Sequence, residues 1–327
     1  MDIDVLWLLA ALGGGAFAAA IGGLMAFAFT GFTYLYGLAL FMNGGESVVI
    51  DMVAFGPYFG PHIAFAGAVA ASAYAKRRGY IEDGKDIATP LAGLGKPDVL
   101  AVGAVFGGIG YLINQALEAV PWLGSEAYET PSASGTAVFS GTDTVALTVV
   151  ISAILVRLII ARSSPLGPFP KDVGIMSDAD SQWVPHQSKW GVAIAIGAFV
   201  GILVAGVALT LFDVAGAHIE DPGTVYLVGF GISAASLTLL VLGLSVPVTH
   251  HMTLLAGLSS IVFLDIVDGN MVLAALIGVV FAVIGAILGE FWARLFHNRG
   301  NTHIDPPAFA IFTGHILIMA LAGVIGG

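Results

Sequence analysis

Residues 271–293 read MVLAALIGVVFAVIGAILGEFWA, with no charge before Glu290. A helix needs ~20 mostly apolar residues to cross the ~30 Å hydrocarbon core of a bilayer. This stretch meets that length. Seven more clear runs flank it, at 5–30, 57–75, 98–117, 138–161, 190–212, 224–246 and 306–326. Two shorter ones, 31–44 and 250–264, complete ten expected spans. The composition agrees: 57% of the 327 residues are hydrophobic, 10% are charged and 44 are Gly. A soluble chain averages ~45–50% apolar and ~25% charged residues, so the expected class is an all-α, polytopic integral membrane protein whose partner is the lipid bilayer. Eleven Lys and Arg, mostly scattered, cannot neutralise a run of phosphates, so nucleic acid is excluded as a partner. Cysteine is absent, which removes disulfides, thiolate metal sites and thiol catalysis. The net charge of −11 is compatible with a high-salt habitat or with an acidic vestibule that concentrates cations.

The basic residues test the span count. Lys76, Arg77, Arg78, Lys85 and Lys96 fall between spans 3 and 4. Arg157, Arg162, Lys171 and Lys189 fall between spans 5 and 6 or just inside their ends, and Arg294 and Arg299 between spans 9 and 10. The opposite loops carry only acids, among them Glu46, Glu118, Glu129, Asp213 and Asp265. Ten spans place every base on one side, and dropping any one span breaks the separation. The positive-inside rule makes that side cytoplasmic, so a cell-membrane protein with both termini extracytoplasmic is expected. Met1-Asp2-Ile3-Asp4 lacks the positive region of a signal peptide, and the first helix is expected to be retained.

The chain reads as two related halves. Thr33–Gly37 matches Val225–Gly229, His62–Tyr74 matches His251–Phe263, Ala104–Gly110 matches Val279–Gly285, and Asp143–Leu155 matches Asp305–Leu317. Order is kept, and Asp aligns with Asp and His with His. Five spans per half is odd, so the halves cross in opposite senses, the inverted repeat shared by many secondary transporters. The expected division is a first five-helix repeat at 1–162, a cytoplasmic linker at 163–188 and a second repeat at 189–327. Glycines at 13–15, 22–23, 107, 108 and 110 permit close helix packing, including between copies of the chain.

Ionisable groups inside a membrane are costly and therefore point to function. Asp143 and Asp305 each open the last span of a half, within Thr142-Asp143-Thr144 and Asp305-Pro306-Pro307. They read either as helix caps at the interfaces or as paired carboxylates that hold a cation or carry a proton, with Thr142 and Thr144 alongside. His62 and His251 follow the Gly/Pro-rich stretches 56–61 and 245–250. Broken helices at matching positions mark transporter sites, and imidazole titrates near neutrality; two ordinary turns are the alternative. His315 lies ten residues into the last span and is the next candidate. His250, His251, His303, Asp305 and His315 hold metal-ligand chemistry but no HExxH spacing. Glu290 is expected to pair with Arg294 at i+4, and Arg157 to snorkel from span 5. Asn114 and Gln115 read as helix–helix contacts.

No nucleophile elbow, kinase signature, dinucleotide fingerprint or EF-hand is present. No enzyme activity and no cofactor is expected. The expectation is a transporter or permease for an ion or small solute, H⁺- or Na⁺-coupled if the Asp pair acts. The alternatives are a passive channel and an integral membrane enzyme or non-transporting subunit.

Overall fold

The computed structural model describes residues 3–124, 126–167 and 182–326. Lys171, Asp172, Asp178 and Asp180 of the expected linker lie outside the described residues. The protein is mostly helical, with α1 (Val5–Ile21), α2 (Gly23–Met42), α3 (Ala64–Arg77), α4 (Pro97–Glu118), α5 (Thr144–Ile159), α6 (Trp190–Gly216), α7 (Val228–Val241), α8 (His250–Val262), α9 (Met271–Trp292) and α10 (Pro306–Ile325). Among the described residues, six helical segments are long and apolar enough to cross a membrane: Gly23–Met42, Pro97–Glu118, Trp190–Gly216, Gly223–Val241, Met271–His297 and Pro306–Ile325. The chain is thus a helical protein of membrane character.

Several boundaries differ from those expected. The run 5–30 is cut at Gly22, whose φ of 93° suits only glycine and whose absent Cβ would meet the Ala88 carbonyl oxygen at 2.6 Å. Residues 23–30 therefore belong to α2, which turns the weak run 31–44 into a helix of 20 residues. The run 57–75 is helical only from Ala64, and the run 224–246 stops at Val241. Helices α3 and α8 have 14 and 13 residues, about 20 Å each at ~1.5 Å per residue. They are central: every residue of α8 is buried, and so are 11 of the 14 in α3. A two-stranded antiparallel hairpin, β1 (Glu126–Pro131) with β2 (Thr136–Ser140), is a small exception to the all-α expectation. It replaces the start of the run 138–161 and lies on the second half, where Ser134 N donates to the Gly216 carbonyl at 2.7 Å and Thr136 N to that of Glu220 at 2.9 Å.

Helix α1 packs on α3 and α4, and α6 on α8 and α9. Likewise α3 packs on α4 and α5, and α8 on α9 and α10. Contacts of α2 with α7 and of α5 with α10 join the halves. Glycine sets the closest approaches. A Cβ on Gly15 of α1 would lie 2.8 Å from Gly107 Cα of α4, and one on Gly67 of α3 would lie 2.7 Å from Gly15 Cα. Gly15 and Gly107 of the glycine-rich faces are thus packed inside the chain.

Arg157 does not snorkel. Its side chain is fully buried in α5. Nε donates to Thr302 Oγ1 at 3.0 Å, Nη1 to the carbonyls of Pro165 (2.6 Å) and Phe296 (2.5 Å), and Nη2 to that of Thr302 (2.6 Å). The guanidinium fork, with five donors in a fixed plane, ties the segment 296–302 to α5. Gly300 leaves the room: a Cβ there would lie 2.5 Å from Arg157 Cζ.

Candidate functional site

A cavity of about 300 Å³ lies between the halves, and both Asp143 and Asp305 line it. Each is the N-cap of its helix. Asp143 Oδ1 accepts from Ala146 N at 2.7 Å, and Asp305 Oδ2 accepts from Ala308 N at 2.8 Å. The carboxylates thus answer the unpaired amides and positive dipole end of α5 and α10. These two helices pack against each other, which brings both caps to one space. The lining recurs in pairs 162 residues apart: Asp143 and Asp305, Val145 and Pro307, Ala146 and Ala308, Val149 and Ile311.

The broken segments also line the cavity, with Pro61 from 56–61 and Val248 and His250 from 245–250, and Phe55 lines it just before the first break. Residues 244–249 lack regular structure, so their backbone needs partners from elsewhere. Gln187 provides them: its Nε2 donates to the Val248 carbonyl at 3.1 Å and its Oε1 accepts from Val248 N at 2.9 Å. A nitrogen of the His186 ring lies 2.9 Å from the Val246 carbonyl. The described part of the linker, 182–188, is therefore docked on the second break, and Trp183 within it reaches the cavity.

A histidine chain leads from Asp305. His303 Nε2 lies 3.1 Å from Asp305 Oδ1, and His303 Nδ1 lies 3.3 Å from His297 Nε2. His297 closes a π-helical turn, Ala293–His297, in the segment that Arg157 holds. The other π-helical turn, Ile50–Ala54, ends beside Phe55 of the cavity wall. Lys85 and the exposed Asp83 lie at the rim, so the cavity reaches solvent on the side of the loop 83–87. Burial of Lys85 lowers its pKa, against the opposing pull of Asp83. Among the described residues no group of three metal-ligating side chains is placed to hold a metal ion.

The other expected site residues lie off this wall. His62 is buried behind Pro61, with its carbonyl against Gly110 of α4 and its ring Nδ1 without a partner. His251 is fully buried against Gly289 of α9, its ring 6.0 Å from that of Trp183, and neither ring nitrogen has a hydrogen-bond partner among the described residues. His315 Nε2 lies 2.9 Å from the Ser140 carbonyl, and Thr142 Oγ1 donates to the Phe312 carbonyl at 3.1 Å. These two join the first half to α10. Thr144 is buried beside its cap. Glu290 and Arg294 pair at 3.8 Å, and Trp183 Nε1 donates to Glu290 at 2.9 Å. Asn114 accepts from Thr148 of α5 at 3.3 Å and donates to Glu118 at 2.6 Å.

Phe27, Phe65, Phe230, Trp183, His297 and Lys85 are cavity residues that motif reading passes over. One signal marks two of the lining positions: Phe65 aligns with Leu254 at the offset that relates His62 to His251, and both line the cavity.

The chain matches the model of a family of unknown function (DUF7973) over residues 1–167 and 171–326, and belongs to that family. No curated protein and no solved structure matches it.

Proposed function

We propose that this member of a family of unknown function is a membrane transporter that passes an ion or small solute through the cavity between two inverted five-helix repeats. The observation that carries the reading is the convergence of Asp143 and Asp305, at two helix N-termini, with both broken segments on one cavity. Non-helical backbone at membrane depth is tolerated where it is buried in protein or lines a water-filled space, and both breaks border the cavity. The repeat is supported by three observations: helix contacts that correspond when each helix is advanced by five, the capping geometry common to Asp143 and Asp305, and lining residues paired at a single offset.

In this reading α3 and α8 complete their crossings together with the irregular segments before them, which makes ten crossings. The loops at 76–97, 163–188 and 294–304 then face the cytoplasm, with both termini outside. The cavity, rimmed by Asp83 and Lys85, is open to the inside. Away from the rim the halves pack together, with Tyr34 Oη donating to the Thr224 carbonyl at 2.8 Å, and in this reading that packing closes the outer end. An open end and a packed end favour a transporter over a channel with a continuous pore.

The test is reconstitution of the full chain into proteoliposomes adsorbed on a solid support, with currents recorded on H⁺ or Na⁺ concentration jumps. A saturable current is expected, reduced at least tenfold by Asp143→Asn and by Asp305→Asn. Asn is itself a good N-cap, so both variants keep the helix starts. No current in the wild type, or equal currents in all three proteins, contradicts coupling through this pair.

A further inference from the structure

We propose that the cavity binds a small organic cation, a protonated amine on an apolar body the size of one ring with a short chain. The inference rests on the reading of this cavity as the solute site and adds the class of solute.

Phe27, Phe55, Phe65, Phe230 and Trp183 line the cavity, with aliphatic side chains filling most of the remainder. A bare Na⁺ or Ca²⁺ seeks about six or more oxygen ligands. Here the carboxylates at the inner wall are those of Asp143 and Asp305; one oxygen of each already accepts a backbone amide, and the other oxygen of Asp305 lies 3.1 Å from His303 Nε2. A hard ion would be left facing rings. Among the described lining residues, an anion would meet the carboxylates of Asp83, Asp143 and Asp305 against one lysine, Lys85. The neutral polar groups of the wall, Gln182, His250, His297 and His303, are outnumbered by its apolar residues, so a sugar would leave part of its hydroxyls on apolar surface, which is unfavourable without hydrogen-bond partners.

An alkyl- or arylammonium fits the carboxylates and the rings of this wall. Its charge pairs with a carboxylate in a water-poor space, where the pairing is strong. Ring faces attract the same cation through their quadrupoles, most strongly when it is desolvated. Its apolar body covers the rest. The volume of about 300 Å³ lies at the small end of the ~300–1,000 Å³ range of ligand pockets, which sets the size. His250 lies with its ring centroid 4.8 Å from that of Phe27 and 5.9 Å from that of Phe230, and its buried Nδ1 has no hydrogen-bond partner among the described residues. It adds a further polar group at the aromatic end.

The experiment is isothermal titration of the detergent-purified full chain with three probes of one shape: phenethylammonium, phenethyl alcohol and 3-phenylpropionate. Micelle partitioning is subtracted with protein-free micelles of the same detergent. The ammonium is expected to bind at least tenfold more tightly than the alcohol, with the carboxylate weakest. Either single Asn variant should lose most of that preference. Phe230→Leu, which keeps an apolar wall, should weaken the ammonium severalfold and leave the alcohol unchanged. Equal affinity for ammonium and alcohol, or tightest binding of the carboxylate, overturns the proposal. So does a Na⁺-jump current in proteoliposomes that millimolar phenethylammonium leaves untouched, and that result keeps the transport reading. Selective ammonium binding without any flux sustains the proposal and removes the transport reading.

Discussion

Replacement of Arg157 by Met tests how the segment leading to Asp305 is held. Methionine restores apolar volume and removes every donor. It strands the carbonyls of Pro165, Phe296 and Thr302 and the Thr302 hydroxyl, which now accept from the guanidinium at 2.5–3.0 Å. A buried polar group left unsatisfied costs ~1–3 kcal/mol. The hydroxyl can rotate to another acceptor, and removing a buried guanidinium returns part of its desolvation cost. The net destabilisation is then about 3 kcal/mol. A domain of 150–250 residues loses ~2–4 °C of melting temperature per kcal/mol, and a longer chain loses less, so a fall of about 5 °C is expected in detergent by tryptophan fluorescence. Arg157→Lys keeps the charge but not the planar fork and should lose about half as much. Leu158→Ala, at a neighbouring position that is 46% exposed, is the control and should change little. A melting temperature for Arg157→Met within about 1 °C of wild type would refute the argument that these bonds hold the segment.

Two further predictions follow from contacts between elements. Gly15→Ala should destabilise by about 1–3 kcal/mol, because the new Cβ meets backbone of α4 that cannot move aside like a side chain; the same melting assay reads it, and Ala at Gly13, which has nothing within 4 Å of its Cβ position, should be neutral. Gln187→Ala removes both bonds to Val248, so exchange of the Val248 amide, followed by hydrogen–deuterium mass spectrometry, should speed up about tenfold.

What could be read from the residues depended on whether the deciding partner was local. Asp143 and Asp305 announce themselves because a cap acid acts on an amide three residues on, within its own segment. The breaks at 56–61 and 245–250 are likewise legible as Gly/Pro-rich interruptions of apolar runs. The end of α1 was not, since Gly22 is one of several glycines in a continuous apolar stretch and only its packing against Ala88 selects it. Arg157 reads as a snorkelling base because its partners at Phe296 and Thr302 are backbone or hydroxyl groups 139 and 145 residues away. A sequence carries no mark for a carbonyl that will accept a distant guanidinium. His297 and Trp183 were hidden for the same reason: each reaches the cavity through a loop whose path is set by contacts with the other segments. The hairpin at 126–140 lies in a stretch of Ser, Thr and Pro whose pairing is completed by Gly216 and Glu220.

The central claim is that Asp143 and Asp305 share one water-filled cavity that opens beside the loop 83–87. The chain has no cysteine, so single cysteines report without background. Ala146→Cys and Ala308→Cys each place a thiol on the cavity wall, one helical turn inside each cap, and Val280→Cys places one on an exposed apolar face of α9. A charged thiol reagent attacks the thiolate, which forms where water reaches. The account predicts that both cavity thiols react from the face that also labels Asp83→Cys, that excess phenethylammonium slows both, and that Val280→Cys stays unreacted in lipid vesicles. Reaction of the two cavity thiols from opposite faces only, or of neither, would contradict it.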